Sequence, residues 1–311
     1  MRILVCGGTG VLGRYLVPAL VQAEHEVVVL ARREASVQLA RQLGGVTVFG
    51  DILEPSSLEP AVAGCGVVVH AATALPRTFP GRPGDFAPND RIRREGTRNL
   101  LAAAARAGVR RFVLQSIIWV HGDQHGALID EEATLQPGQV ARSALDAEAM
   151  TREAALHHGF AADILRAGAF YAPHAYHTRE IVARLKSRTA PIIGDGANYQ
   201  CFVHAADAAT AFAAAALADR PGDTYFVVDD EPVRLSEYLT WLAKAVGAKE
   251  PLHLPEFLAR LTLGAEMTAT YGASLRCSNG RIRRQLGWAP RWRSFREGYE
   301  QDVLPKLGSE R

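Results

Sequence analysis

Short apolar, β-branched runs alternate along the chain with longer segments rich in alanine and leucine. The apolar runs predict strands at residues 3–6, 27–30, 46–49, 67–70, 112–114, 162–165 and 225–228, and helical periodicity marks 12–23, 96–107 and 143–157. Strands that are apolar on both sides, joined by crossover helices, form a doubly wound parallel sheet of the Rossmann type within an α/β fold. From Tyr171 onward the elements are separated by longer loops. The chain is therefore expected to divide into a dinucleotide-binding domain (1–170 with 204–229) and a smaller, largely C-terminal substrate-binding lobe (171–203 with 230–311). The Pro- and Gly-rich stretch 75–88, which includes Pro80, reads as a mobile surface loop.

Composition narrows the classes. In 311 residues, 48% are hydrophobic and 22% charged, with a net charge of +2, so disorder and fibrous repeats are excluded. No run reaches the ~20 apolar residues of a membrane span, and the arginines are scattered rather than gathered on one face, so neither membrane nor nucleic acid is expected as a partner. The four cysteines have no metal-like spacing and read as reduced core residues of a cytoplasmic protein, with no metal site. One asymmetry bears on mechanism. The only lysines are Lys186, Lys244, Lys249 and Lys306, and no tyrosine lies between Tyr15 and Tyr171.

Directly after the first predicted strand comes Gly7-Gly8-Thr9-Gly10-Val11-Leu12-Gly13. Between a strand and a helix, such a loop turns tightly, lets backbone approach a diphosphate, and presents a helix N-terminus to it. The second strand ends in Ala31-Arg32-Arg33-Glu34, where an NAD site would carry an acidic residue. Arg32 therefore favours NADP(H) over NAD(H), although Glu34 could serve the ribose instead. Asp51 is placed near the adenine edge, and Ala71, Ala72 and Thr73 are small enough to pass beside the cofactor.

These residues resemble the extended short-chain dehydrogenase/reductases, the NAD-dependent epimerase/dehydratase family. The likeness also covers Gly50-Asp51-Ile52, Val69-His70-Ala71-Ala72, Gly96-Thr97-Arg98-Asn99-Leu100-Leu101, Leu165-Arg166-Ala167-Gly168, Phe170-Tyr171-Ala172-Pro173, Phe202-Val203-His204-Ala205-Ala206-Asp207 and Leu286-Gly287-Trp288-Ala289-Pro290. The resemblance adds Ile52 and Gly168 to the expected cofactor contacts and implies a homodimer formed through helices such as the one carrying 143–157. It also implies catalysis by a Ser and a Tyr-x-x-x-Lys pair, in which the cation lowers the tyrosine pKa and the spacing of four sets both groups on one helix face. Laid on this chain, the Tyr and Lys positions are Val140 and Ala144, and the Ser position is Ile117. Arg142 lies about 200° round the helix from either and is no replacement.

Three polar groups remain as proton donors or acceptors: Ser116 at the end of the fifth strand, His121, and Tyr171. Gln115 is a further amide donor to substrate or nicotinamide. His174 and His177 read as residues of a substrate mouth or as exposed loop positions, and His204 with Asp207 as a tie between lobe and sheet. The favoured function is an NAD(P)-dependent oxidoreductase or epimerase/dehydratase-like enzyme acting on a small polar molecule without the usual Ser/Tyr/Lys set. The alternatives are a non-catalytic NADP(H)-binding sensor, and a non-redox isomerase, cyclase or lyase.

Overall fold

The computed structural model describes residues 1–77 and 81–309. The predicted strands all fall in one parallel sheet: β1 (Arg2–Cys6), β2 (Glu26–Ala31), β3 (Val46–Phe49), β4 (Val67–His70), β5 (Arg111–Ile117), β6 (Ala161–Ala167) and β7 (Thr224–Val227). Their order is β7-β6-β5-β4-β1-β2-β3. β1 thus pairs with β2 on one side and β4 on the other, with Cys6 beside Leu30 and His70. Chain connections diverge at that point, which opens a crevice at the strands' carboxyl ends.

Alternation along each strand feeds two cores. Ile3, Val5, Val27, Val29, Val67 and Val69 face helices α1 (Gly13–Gln22) and α5 (Ala205–Leu217), while Ala40 of α2 (Glu34–Gln42) joins them. Leu4, Cys6, Val28, Val68, Phe112 and Ile164 face α3 (Thr97–Arg106) and Ala147 of α4 (Gln139–His158). Ile3, Leu4 and Val5 are completely buried, each contributing about 1.5–3 kcal/mol of burial.

A second core lies around Tyr171, Ile192, Phe202, Tyr238, Phe295 and Tyr299. Short pairs close it: Ala169–Tyr171 runs beside Phe202–His204, and Tyr199–Gln200 against Val233–Arg234. Ile282 and Trp288, assigned to the smaller lobe, are buried in the core under α1 and α5, where Trp288 Nε1 donates to Thr210 Oγ1 (2.9 Å). A large indole with one polar atom seats where an α5 hydroxyl receives it. The stretch 75–88 also differs from a plain loop: Pro83–Phe86 forms a 3₁₀ turn and Ala87–Arg91 a helix, each with Pro in its first turn, while residues 78–80 of that stretch, Pro80 among them, lie outside the described residues.

Candidate cofactor and active site

The loop leaving β1 is built by steric exclusion. Gly7 has φ +91°, and a Cβ there would lie 2.5 Å from the Ala71 carbonyl oxygen and 2.7 Å from the Ala72 nitrogen. A Cβ at Gly13 would lie 2.4 Å from the Gly7 oxygen. Only glycine lets the ends of β1 and β4 close to this distance. The Gly10 amide donates to the Gly7 carbonyl (2.9 Å), and Arg14 N to Gly10 O (3.1 Å). Gly10 is exposed at the crest, Thr9 and Val11 are half-buried, and the Leu12 side chain is turned into the core. Helix α1 starts without a side-chain cap, so no side chain competes with an anion for the positive end of its dipole. This backbone cradle, which a single Cβ would fill, fits a dinucleotide diphosphate.

At the ends of β2 and β3, a pocket of about 400 Å³ is lined by Arg32, Arg33, Phe49, Gly50, Asp51 and Glu54. Arg32 Nη1 lies 3.3 Å from Asp51 Oδ2, both partly exposed. Pairs of that kind hold weakly, so Arg32 can exchange Asp51 for a stronger anion. Asp51 is anchored, its amide donating to Ser57 Oγ (3.0 Å) and its Oδ1 accepting from Leu53 N (3.0 Å). Ile52 is buried, so it offers a ligand backbone only. Ala71 is buried, Ala72 half-buried and Thr73 exposed along the exit from β4, and Gln115 is half-buried on β5. Gly168 serves chain packing: a Cβ there would lie 2.6 Å from the Cys201 carbonyl oxygen.

The positions where the resemblance puts Tyr and Lys, Val140 and Ala144, are buried on one face of α4, while Arg142 is exposed. The three expected proton donors are all buried with other partners. Ser116 Oγ donates to Glu148 Oε1 (2.5 Å), and Arg166 grips the same carboxylate through Nε to Oε1 (2.9 Å) and Nη2 to Oε2 (2.7 Å). Arg166 Nη1 also donates to His121 Nε2 (2.9 Å), which assigns the imidazole proton to Nδ1, facing Thr134 O (3.3 Å). Burial, reinforced by the Arg166 charge, lowers the His121 pKa to about 4. A neutral imidazole whose lone pair already accepts from a guanidinium is a poor proton donor or acceptor at neutral pH. Tyr171 stacks on Tyr299 (centroids 5.1 Å) against Gly298, with its hydroxyl toward Ser294 O (3.4 Å), and burial raises its pKa.

Two features escaped the sequence reading. The first is the buried Glu148–Arg166 pair. Glu148 stands one helical turn beyond Ala144, and Arg166 lies in the quoted Leu165-Arg166-Ala167-Gly168 run, but neither position discloses the other across the fold. The second is a set of inward polar groups beside β4, namely His70, Asn89 and Arg93. His204 and Asp207 do tie lobe to sheet: Asp207 accepts from Arg291 N and Trp292 N (3.0 Å each), and His204 Nε2 lies 3.2 Å from Asp302 Oδ2. His174 packs on Tyr15 (5.3 Å), and His177 is exposed. Among the described residues no group of His, Cys, Asp and Glu has metal-binding geometry, and no helix is long and apolar enough to cross a membrane.

Comparison with known proteins fits this architecture. The sequence profile of the NAD dependent epimerase/dehydratase family matches residues 3–228. A 3-diazoavenalumate denitrifying reductase from Streptomyces sp is 35% identical over 309 residues, covering 96% of this chain and 99% of that protein. A 4-hydroxy-2-methyl-3-oxo-4-farnesyl-3,4-dihydroquinoline-1-oxide ketoreductase from Stigmatella aurantiaca is 27% identical, covering 94% of this chain and 92% of that protein. Among solved structures, a dTDP-glucose 4,6-dehydratase from Streptomyces venezuelae with NAD and TYD bound superposes with a TM-score of 0.81 at 26% identity, over 98% of this chain and 96% of that one. With its glycine cradle, its seven-stranded parallel sheet and a profile match across most of its length, the chain belongs to the NAD-dependent epimerase/dehydratase family.

Proposed function

We propose that this protein is an NADP(H)-dependent reductase acting on a small polar substrate whose reduction needs no proton from the protein, with an aryl diazonium ion as the substrate class. The observation that carries this reading is the apolar, buried α4 face at Val140 and Ala144, together with the engagement of Ser116, His121 and Tyr171 elsewhere. The dinucleotide, when bound, supplies a hydride. Gly7, Thr9, Gly10, Val11, Leu12 and Gly13 cradle its diphosphate through backbone, Arg32 beside Asp51 takes the 2′-phosphate, and Ala71, Ala72, Thr73 and Gln115 flank the crevice.

Chemistry decides between substrate classes. Reducing a ketone generates an alkoxide that must gain a proton, and a Tyr held by a Lys is suited to deliver it. An aryl diazonium plus hydride gives an arene and dinitrogen, balanced in charge, with no proton taken up. The name of the Streptomyces relative joins a diazo substrate, denitrification and reduction. For such a substrate the chain's residues need only orient it and keep water out, and positioning alone supplies up to about 7–11 kcal/mol of barrier lowering.

The test mixes the protein with an aryl diazonium salt and either NADPH or NADH in weak buffer, following nicotinamide absorbance, dinitrogen release and pH. We expect NADPH oxidation matched by dinitrogen release with no net proton uptake, and a slower reaction with NADH whose disadvantage shrinks in Arg32→Ser. No NADPH oxidation with the diazonium salt, or proton uptake matching turnover, overturns the reading.

A further inference from the structure

The helical run leading into α3 contains a wide, π-type turn at Ile92–Gly96. Such turns re-aim side chains and recur at functional sites. Arg91 pairs with Glu95 (2.8 Å) and Arg94 with Asp146 (2.7 Å), both at the surface. Arg93 is turned inward, only 7% exposed, and among the described residues its guanidinium makes no hydrogen bond or ion pair. The charge acting on it is Asp90, which accepts from Ser143 Oγ (2.6 Å) on α4, the residue one turn from Val140 and adjacent to Ala144.

Two further donors stand beside it. Asn89 is fully buried; its Oδ1 accepts from Ala74 N (3.0 Å), which leaves its Nδ2 without a partner. His70, at the end of β4, has Nε2 3.0 Å from Thr97 Oγ1 and an unpartnered Nδ1, and the Arg93 charge adds to burial in keeping it neutral. Buried polar groups left unpaired, as Asn89 Nδ2 and His70 Nδ1 are, are costly. His70 ends β4 and senses the Arg93 charge, Asn89 holds Ala74 just beyond that strand, and Asp90 ties the same helical run to Ser143 on α4, next to Ala144.

We propose that Arg93, supported by Asn89 Nδ2 and His70 Nδ1, holds the nicotinamide-side phosphate and ribose of the dinucleotide, providing from the α3 side the cation absent at Ala144. This rests on the reading that the crevice binds a dinucleotide. The test titrates wild type, Arg93→Gln, Arg93→Lys and Asn89→Ala with NADPH, NADP+ and 2′,5′-ADP by calorimetry. The last ligand lacks the nicotinamide-side phosphate and ribose.

R93Q is expected to weaken both dinucleotides by about tenfold or more, as loss of a charged hydrogen-bonding partner does, while 2′,5′-ADP stays within about twofold. R93K should recover part of the loss, and N89A should weaken the dinucleotides by a few fold. If R93Q does not fold, as thermal melting would reveal, the Lys and Asn89 variants carry the same comparison. Unchanged dinucleotide affinity, or an equal loss for 2′,5′-ADP, overturns the proposal while the cofactor reading stands. A wild type that binds none of the three ligands overturns both.

Discussion

The Glu148–Arg166 pair is the most sensitive point in the sheet's carboxyl edge. Glu148 is fully buried and accepts from Ser116, Arg152 and twice from Arg166, itself 2% exposed. Burial pushes the Glu148 carboxyl up, yet hydrogen bonds and charge from Arg166 outweigh it and hold the pKa below the usual range. Glu148→Gln keeps the shape but leaves the guanidinium charged and uncompensated, and turns one amide NH₂ toward a guanidinium N–H that can only donate. Breaking such a pair from one side costs about 3–5 kcal/mol. Urea unfolding at pH 7, followed by circular dichroism, should show that loss. The double variant Glu148→Leu with Arg166→Met should recover much of it, because no charge is left buried. A loss below about 1 kcal/mol in E148Q would refute the reasoning, since the network would then not be holding Ser116 and His121 in place.

Acid sensitivity follows from the buried histidines. His70, His121 and His204 are each lowered to about 4, chiefly by burial. The unfolded chain binds protons at these sites below its ordinary pKa of about 6.5 while the folded chain does not, so stability is complete above about pH 6.5 and falls as pH drops toward 4. Between pH 7 and pH 5 the expected loss is about 2 kcal/mol per histidine, and a urea midpoint that stays level across that range would contradict it. Gly13→Ala places a methyl 2.4 Å from the Gly7 carbonyl oxygen, so the loop must shift, and NADPH affinity should drop about tenfold or more. Equal affinity in a calorimetric titration would remove that loop from the cofactor site.

Much of the fold is legible in local pattern. The central strands β1 and β4 are apolar runs buried on both faces, and period-two alternation sends Ile3 and Val5 to one core and Leu4 and Cys6 to the other. The glycine loop is equally local, because the backbone conformation at Gly7 and the closeness at Gly13 demand glycine whatever surrounds them. The absence of Tyr and Lys from α4 is a fact of the sequence alone.

The chemistry of the polar residues was decided only by tertiary structure. Ser116 and His121 look available in sequence, yet Glu148 from α4 and Arg166 from β6 reach across and occupy them. Arg93 is indistinguishable by composition from Arg91 and Arg94 until the wide turn sends it inward while its neighbours pair at the surface. Trp288 likewise joins the sheet's core because α5 offers it a cavity wall and a hydroxyl. Backbone preference and hydrophobic period act over a few residues, so the sequence by itself determined the elements and the cradle. Which distant element packs beside a polar side chain sets its solvation, its partners and its proton, and only the assembled fold determined those.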